Sequence, residues 1–337
     1  VEAHLSGLGE ATGLDTEAGF FCAIGASGPG ASNEGVRMAS QPVRVAIQGI
    51  CGSFHEMAAV NYFEQTVQIV PTETFDELFA ALERRDADYG VMAIENTVAG
   101  SILPNYALLR ESKLKVVGET YLRIVHNLVG LKGQHLEDIL EVYSHPMAIN
   151  QCRAFFKRLP AVKLIAAGDT ATCAKRIAEE RLSGTGAIAS ARAAQLYGLE
   201  VLAEEIETNR VNYTRFLILT DELNAVPSRD ADKASICFSL QHQVGCLSQV
   251  LSVLAFYGMN LTKIQSLPIL GREWQYLFYV DVCFGDFIRY RQALSAIRPL
   301  TDIFEVLGEY RQGQKSFESI HRENLEQPME TGAAEPC

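Results

Sequence analysis

The 337-residue chain is long enough for two or three domains, and its 48% hydrophobic residues exclude a largely disordered protein. A net charge of −12 argues against broad nucleic-acid binding, which needs a basic surface, but it allows a local pocket for a small anion. The eight cysteines show no zinc-like spacing, and several lie in apolar runs, so we expect reduced core cysteines and no metal. No apolar run reaches membrane-spanning length.

The two ends of the sequence are polar and aperiodic, at residues 1–42 and 313–337, and we expect both to be disordered. Arg37 is the only arginine or lysine of the first segment, which argues against an arginine-rich transit peptide, and its apolar patch is too short for a secretory signal. Met38 resembles a natural start, which would place residues 1–37 upstream of the protein. We therefore expect a cytoplasmic protein.

Residues 43–223 alternate short β-rich runs with segments of helical period, which is typical of α/β architecture. Thr74 and Glu77 form a capping box that predicts a helix start. The predicted strands are 43–47, 67–70, 89–94, 114–117, 162–166, 187–189 and 215–219. The predicted helices are 54–64, one after Thr74, 147–158, 170–181 and 191–197. Ligands of such sheets usually bind at the carboxyl ends of the strands.

A smaller module follows the polar linker at 224–232. Its predicted order over residues 232–312 is βαββαβ, the pattern of a ferredoxin-like domain. Domains of this kind commonly sense ligands, although the fold alone does not establish a function.

Four stretches place hydroxyl, amide and glycine residues directly after a strand and before a helix. Their candidate ligands are Ser53, Asn96, Thr97, Ser101, Thr170 and Ser190. Backbone amides and hydroxyls at helix N-termini suit a carboxylate or a phosphate. Each stretch alone could be an ordinary helix cap, whereas the four together favour a shared anion site. The first glycine loop matches neither a phosphate loop nor a dinucleotide motif, so we expect no nucleotide cofactor.

The segment 212–216 combines an amide, a hydroxyl and a permanent cation at the start of an apolar strand. In a strand, Asn212, Thr214 and Phe216 share one face, and Arg215 points to the other unless the chain bends. The planar guanidinium suits a carboxylate because it can bind both oxygens. The alternative is a surface arginine at a strand start.

In this order, these motifs resemble the prephenate dehydratase family, which includes the arogenate dehydratases. The similarity covers about residues 44–312, and its most specific segments are 94–101, 142–146 with Gln151 and Cys152, 197–202 and 212–216. The resemblance implies a two-subdomain catalytic module like a periplasmic binding protein, built from 43–120 plus 205–223 and from 121–204. It also implies a C-terminal ACT domain at 232–312 and a homodimer or homotetramer.

The implied reaction removes carbon dioxide and the ring hydroxyl from prephenate, giving phenylpyruvate for phenylalanine biosynthesis without a cofactor. Thr214 matches the family's essential threonine, and we expect it to assist the departing hydroxyl. Asn212, Arg215, Phe216 and the four stretches are expected to bind the dianionic substrate, with Arg215 as the carboxylate clamp. Two alternatives remain: an arogenate dehydratase, which acts on a substrate with an amine, and a non-enzymatic protein that binds a small anion.

The chain departs from the family's usual pattern in its catalytic part. Ile50 and Ser53 stand where the first loop usually has proline and threonine, and Ser53 keeps the hydroxyl. Asp169 stands where the family usually has serine. It adds a negative charge near a dianionic substrate unless it caps a helix.

The second module shows a sharper departure. Gln265 and Leu267 replace a glutamate and an arginine of the ACT motif. An amino-acid effector carries an ammonium, so the loss of the glutamate should weaken binding of phenylalanine. The expected effector-binding residues are Gly245, Leu247, Gln265, Ser266 and Pro268.

Overall fold

The computed structural model describes residues 42–225, 230–269 and 271–313. Within these ranges the strands are β1 (Val43–Gln48), β2 (Val67–Thr72), β3 (Tyr89–Asn96), β4 (Gly100–Ser101), β5 (Leu114–Arg123), β6 (Asn127–Gly130), β7 (Glu141–Ser144), β8 (Lys163–Ala166), β9 (Thr185–Ala189), β10 (Glu200–Ala203), β11 (Tyr213–Asp221), β12 (Lys233–Ser239), β13 (Asn260–Pro268), β14 (Tyr276–Cys283) and β15 (Ile303–Tyr310). The helices there are α1 (Phe54–Phe63), α2 (Phe75–Glu83), α3 (Leu103–Glu111), α4 (Pro146–Gln151), α5 (Arg153–Phe156), α6 (Thr170–Glu180), α7 (Ala191–Tyr197), α8 (Cys246–Phe256) and α9 (Phe287–Ile297).

The first sheet has the strand order β2-β1-β3-β11-β5, with the short β4 paired to β3. β1 runs parallel to β2 and β3, whereas β11 runs antiparallel to both β3 and β5. The sheet is therefore mixed. Its antiparallel part arises because β11 returns from a second subdomain and enters the middle of this sheet.

The second sheet has the order β10-β6-β9-β7-β8 and is formed by residues 127–203, between β5 and β11 in the sequence. β7 is parallel to β8 and β9, and β6 is antiparallel to β9 and β10. Two chain crossings join the two sheets, after β5 and before β11. The predicted α/β architecture with two subdomains is confirmed.

The third sheet, β13-β14-β12-β15, is antiparallel, and with α8 and α9 it has the predicted βαββαβ order. We call this unit the C-terminal domain. One face of its sheet packs on the two helices, through residues such as Phe238 and Tyr290. The other face, with Tyr279 and Leu307, shares a core with Leu217 and Leu219 of β11. The C-terminal domain is thus joined directly to the first subdomain.

The helix that begins after Thr74 starts where the sequence predicts it. The Thr74 hydroxyl accepts a hydrogen bond from the Glu77 amide at 3.2 Å, which confirms the predicted cap. The Glu77 carboxylate accepts from the Glu73 amide at 2.8 Å, one residue before the amide that a capping box would use. The predicted helix 147–158 is instead two short helices, α4 and α5, separated at Cys152. The elements β4, α3, β6, β7 and β10 were not predicted, because their short segments carry no clear apolar period.

The expected disordered ends fall almost wholly on residues 1–41 and 314–337, outside the described residues. In the described ranges Cys152, Cys173 and Cys237 are buried free thiols, and no group of three or more His, Cys, Asp or Glu side chains is arranged to hold a metal. None of the described helices is long and apolar enough to cross a membrane.

Candidate functional site

Thr214 lies on β11 directly opposite Asn96, the last residue of β3. The Asn96 side-chain nitrogen donates to the Thr214 hydroxyl oxygen at 3.0 Å and to the Asn212 side-chain oxygen at 2.7 Å. The Asn96 oxygen accepts from the amides of Val98 and Ala99, so the orientation of its amide is fixed. All three polar side chains are at most 8% exposed. The structure therefore brings together three of the predicted site residues.

A chain of hydrogen bonds leads from this group into the second subdomain. The Asn212 side-chain nitrogen donates to the Gln151 oxygen at 3.0 Å, and the same oxygen lies 2.8 Å from His126 Nε2. An amide oxygen only accepts, so His126 carries a proton on Nε2. Burial lowers the pKa of His126, which keeps the ring neutral at pH 7. Gln151 was part of a recognised motif, but its role and that of His126 were not predicted.

A second group forms where three helices begin around the loop 49–53. Ser53, Asp169 and Ser190 cap α1, α6 and α7, each accepting from amides in the first turn. The Ser190 hydroxyl also donates to the Gly52 carbonyl at 2.8 Å. A Cβ placed on Gly49 would lie 3.6 Å from the Asp169 carboxyl carbon, so these helix starts meet across the two subdomains. Such a convergence favours an anion.

The start of α6 differs from the other two. Thr170 was predicted to bind the anion, but it is the first residue of the helix, and the cap is Asp169. The Asp169 carboxylate accepts from the Ala171 and Thr172 amides at 2.8 and 2.9 Å. Asp169 is thus the helix cap that the sequence left as one of two options. Its negative charge offsets the positive potential of this helix start. The buried Glu56 carboxylate, which accepts from the Gly52 amide, does the same in the first turn of α1, so the start of α7 is the best placed of the three for an anion.

Aromatic rings connect the two groups. Phe54 and His55 follow the Ser53 cap, and their rings lie 5.5 Å from His126 and 5.1 Å from Phe216 respectively. Burial lowers the pKa of His55 to about 4, so this ring is also neutral at pH 7. Phe216, a predicted substrate contact, is 2% exposed and packs beneath α1. It supports the wall of the site from behind.

Arg215 lies on the other face of the first sheet. Its Nε donates to Glu119 at 2.7 Å, one terminal nitrogen donates to Asp281, and the other donates to the Tyr310 hydroxyl at 3.0 Å. The side chain is 6% exposed. Its donors are engaged between the first sheet and the C-terminal domain, so the prediction that Arg215 clamps a substrate carboxylate is wrong for this structure. The strand alternation that puts Thr214 in the site puts Arg215 behind it.

Two other predicted ligands are also corrected. The Ser101 hydroxyl accepts from Lys263 Nζ at 2.5 Å, so it faces the C-terminal domain. The Thr97 hydroxyl donates to the Val211 carbonyl and accepts from the Tyr213 amide, both at 2.9 Å. Thr97 thereby fixes the loop after β3 to the start of β11, and its hydroxyl is engaged with backbone.

The ion network around Arg215 was not predicted. Lys233 Nζ lies 2.9 Å from both Glu119 carboxylate oxygens, and the Ser235 hydroxyl donates to Asp281 at 2.5 Å. Burial raises the pKa of Glu119 and of Asp281, but the nearby Arg215 and Lys233 outweigh it and hold both pKa values below their usual range. We call these four charged residues the interdomain network.

The predicted effector residues lie at one end of the third sheet. Gly245 precedes α8 with a φ of +86°, a conformation that favours glycine. Ser239, which leads into the loop before Gly245, and Leu267 both pair with Leu277 of β14. The two predicted motifs, Gly245 with Leu247 and Gln265 with Ser266 and Pro268, therefore belong to neighbouring parts of the domain.

The family model and a similar relative both indicate the prephenate dehydratase family. The family model described as prephenate dehydratase matches residues 45–224. A similar relative is "Arogenate dehydratase/prephenate dehydratase 2, chloroplastic" from Arabidopsis thaliana, 39% identical over 279 residues that cover 80% of this chain and 72% of that protein. Among solved structures, prephenate dehydratase from Arthrobacter aurescens in complex with L-Phe has a TM-score of 0.72, with 26% identity and coverage of 80% and 90%. GqqA, described as a novel type of quorum quenching acylase, also has a TM-score of 0.72, with 30% identity and coverage of 80% and 98%.

Proposed function

This chain belongs to the prephenate dehydratase family, a family of hydro-lyases, and on that premise we propose that it converts prephenate to phenylpyruvate in phenylalanine biosynthesis. The reaction removes carbon dioxide and the ring hydroxyl together. The observation that carries the proposal is the hydrogen bond from the Asn96 amide to the Thr214 hydroxyl oxygen. It sits at the junction of the two subdomains, beside the convergent helix starts.

Thr214 assists the departing hydroxyl. Asn96 donates to the threonine oxygen, which leaves the threonine proton to be donated elsewhere. An alcohol is too weak an acid to ionise fully, so Thr214 hydrogen-bonds to the leaving oxygen or relays a proton to it through water. As the carbon–carbon bond to the ring carboxylate breaks, its electron pair enters the ring and the carbon–oxygen bond breaks. The departing hydroxide takes a proton that comes from solvent through Thr214 and leaves as water. The aromatic product supplies the driving force, and the protein supplies orientation.

The substrate carboxylates are held by the helix starts. The first-turn amides of α1 and α7 and the hydroxyl of Ser53 present donors to an anion, and Thr170 begins the third helix. The Ser190 hydroxyl proton is donated to the Gly52 carbonyl, so Ser190 orders the loop beside the anion. The rings of Phe54 and His55 offer an apolar surface for the six-membered ring. Arg215 takes no part in direct binding in this proposal.

Arogenate is a second candidate substrate, and Asp169 is the observation that favours it. Its carboxylate lies beside the loop 49–53, where an ammonium on the substrate side chain would gain a counter-charge. The Arabidopsis relative is named for both activities. A comparison of kcat/KM on prephenate and arogenate with the same purified protein separates the two candidates.

We further propose that the C-terminal domain is an ACT domain that binds L-phenylalanine and that the protein is a homodimer or homotetramer. The βαββαβ order and the L-Phe complex of the Arthrobacter protein support the effector. The half-buried Gln265 stands in place of a glutamate, so we expect weaker binding than a carboxylate would give. The predicted domain boundaries and cytoplasmic location also remain proposals.

The role of Thr214 is tested by removing its hydroxyl while preserving its shape. We expect Thr214→Val to lower kcat for prephenate by about 10²–10³, since one transition-state donor is lost, and Thr214→Ser to retain most of the activity. Thr220→Val is the matched control, because Thr220 lies on the same strand and its hydroxyl donates to the Asp88 carbonyl away from the site. Phenylpyruvate formation gives kcat directly. A Thr214→Val protein with wild-type kcat would refute the assignment.

A further inference from the structure

The C-terminal domain contacts the two residues that adjoin Asn96 and Thr214 in the sequence. Lys263 of β13 lies 2.5 Å from the Glu95 carboxylate, and Asp281 of β14 binds Arg215. Glu95 precedes Asn96, and Arg215 follows Thr214. The C-terminal domain therefore holds β3 at Glu95 and β11 at Arg215. Each of these residues is one position from a side chain of the hydrogen-bonded pair Asn96 and Thr214.

The strand register makes this arrangement systematic. Thr214 pairs with Asn96, and Arg215 pairs with Glu95, in the antiparallel ladder between β11 and β3. Side chains alternate between the faces of a sheet, so one pair faces the candidate site and the next pair faces the C-terminal domain. A displacement of Glu95 therefore moves the backbone that carries Asn96, and a displacement of Arg215 moves the backbone that carries Thr214.

The contact between the two units leaves little freedom for independent motion. A Cβ on Gly308 of β15 would lie 2.1 Å from the Val116 carbonyl oxygen of β5, so only glycine allows this approach. The cavity beside Arg215, Ser235 and Lys263 has a volume of about 10 Å³, room for roughly one water molecule. A shift of the C-terminal domain would thus be passed on to β5 and β11.

The charges of the interdomain network balance. Two cations, Arg215 and Lys233, face two anions, Glu119 and Asp281, and all four are at most 9% exposed. Loss of one member leaves an uncompensated buried charge, so the group responds as a unit. Lys263 and Glu95 form a separate ion pair at the other contact, with side chains 12% and 35% exposed.

We propose that Glu95 and Arg215 are positioning residues, through which Lys263 and Asp281 of the C-terminal domain hold Asn96 and Thr214 at their hydrogen-bonding distance. Loss of the Lys263–Glu95 or the Asp281–Arg215 contact lowers turnover more than it weakens substrate binding. The donor to the leaving hydroxyl is then misplaced, while the helix starts that hold the substrate carboxylates are unchanged. The inference rests on the proposed function.

The ion pair of Lys263 offers the sharpest test, since it is partly exposed and its loss leaves the buried network intact. We expect Lys263→Gln to lower kcat for prephenate on the order of tenfold with KM changed less than about twofold, and Lys263→Arg to restore most of the loss. Glu305→Gln is the matched control. It breaks the ion pair between Glu305 and Lys115, which also joins the C-terminal domain to the first sheet. Lys115 lies on β5 opposite Thr220, at the end of β11 far from Thr214.

A second measurement separates positioning from general stability. In a Thr214→Val background, Lys263→Gln should cause no further loss of kcat, because the side chain that it positions is already disabled. Glu95→Gln repeats the test from the other side of the ion pair if Lys263→Gln fails to fold. Wild-type kcat in Lys263→Gln, an equal loss in both backgrounds, or an equal loss in Glu305→Gln would overturn the inference alone. A wild-type protein that turns over neither prephenate nor arogenate would overturn the proposed function and this inference with it.

Discussion

The side chains of Thr214 and Arg215 leave opposite faces of one strand, the first toward Asn96 and the second into the interdomain network. Neighbours in the sequence thus serve two different parts of the molecule. One faces the junction of the catalytic subdomains, and the other joins the first sheet to the C-terminal domain. Substitutions at Thr214 should therefore act on catalysis, whereas substitutions at Arg215 should lower both stability and turnover.

The interdomain network should depend on charge balance more than on any single contact. Arg215→Met leaves two carboxylates facing one lysine, and we expect it to lower the free energy of unfolding by about 3–5 kcal/mol. The double variant with Asp281→Leu leaves only the charge-balanced Glu119–Lys233 pair. Its free energy of unfolding should fall by much less than the sum of the decreases in the two single variants. Chemical denaturation of the three variants measures this coupling, and additive losses would contradict it.

Gln151 should matter for both stability and turnover. Gln151→Leu removes the oxygen that accepts from His126 and Asn212 and leaves two buried donors without it, so we expect a loss of about 2–4 kcal/mol and a lower kcat. Gln151→Glu keeps the acceptor and should fold with near wild-type stability. Urea denaturation with parallel turnover assays tests both variants, and equal stability of the two would show that the acceptor is dispensable.

Asp169 should influence the choice between substrates. Asp169→Ser keeps a helix-capping oxygen and removes the charge, so we expect kcat/KM to rise several-fold for prephenate and to fall for arogenate. Asp286→Ser is the matched control, because Asp286 caps α9 in the C-terminal domain in the same way. Parallel changes on both substrates would argue that Asp169 acts only as a cap.

His55 should make stability depend on pH. Its pKa is lowered from 6.5 to about 4, so the unfolded chain binds a proton that the folded protein does not. Stability is therefore fully present above pH 6.5 and is lost as the pH falls toward 4, by about 3 kcal/mol. His55→Phe removes this titration among the rings of Phe75 and Phe216. Thermal unfolding at pH 7, 5.5 and 4.5 should show a smaller decrease of Tm with falling pH in His55→Phe than in the wild-type protein. The same dependence of Tm on pH in both proteins would contradict the expectation.

The sequence was most informative where local chemistry decides the structure. Hydroxyls and glycines after strands located the helix caps at Ser53 and Ser190, and the Thr74 cap located α2. The motif 212–216 identified Asn212 and Thr214, which the structure joins through Asn96. Strand alternation alone had placed Arg215 on the opposite face, and the clamp role from the resemblance conflicted with it.

Contacts between distant segments left no local signal. Lys233 and Asp281 stand in strands of the C-terminal domain, 18 and 66 positions after Arg215, and single charges in apolar runs do not reveal their partners. The break at Cys152 was hidden because apolar residues continue through it. Gln151 belonged to a recognised motif, but only the fold places its side chain against Asn212 from the other subdomain.

The insertion of β11 between β3 and β5 has a consequence for how the protein is made. β5 pairs with β11 and with no other strand of the described first sheet. A ribosome must therefore synthesise all of residues 127–203 before the first sheet can close, and until then β3 and β5 expose unpaired edges. The strand that completes the sheet also carries Thr214. A nascent chain stopped before residue 213 would hold most of the first sheet, including Asn96, but would lack Thr214.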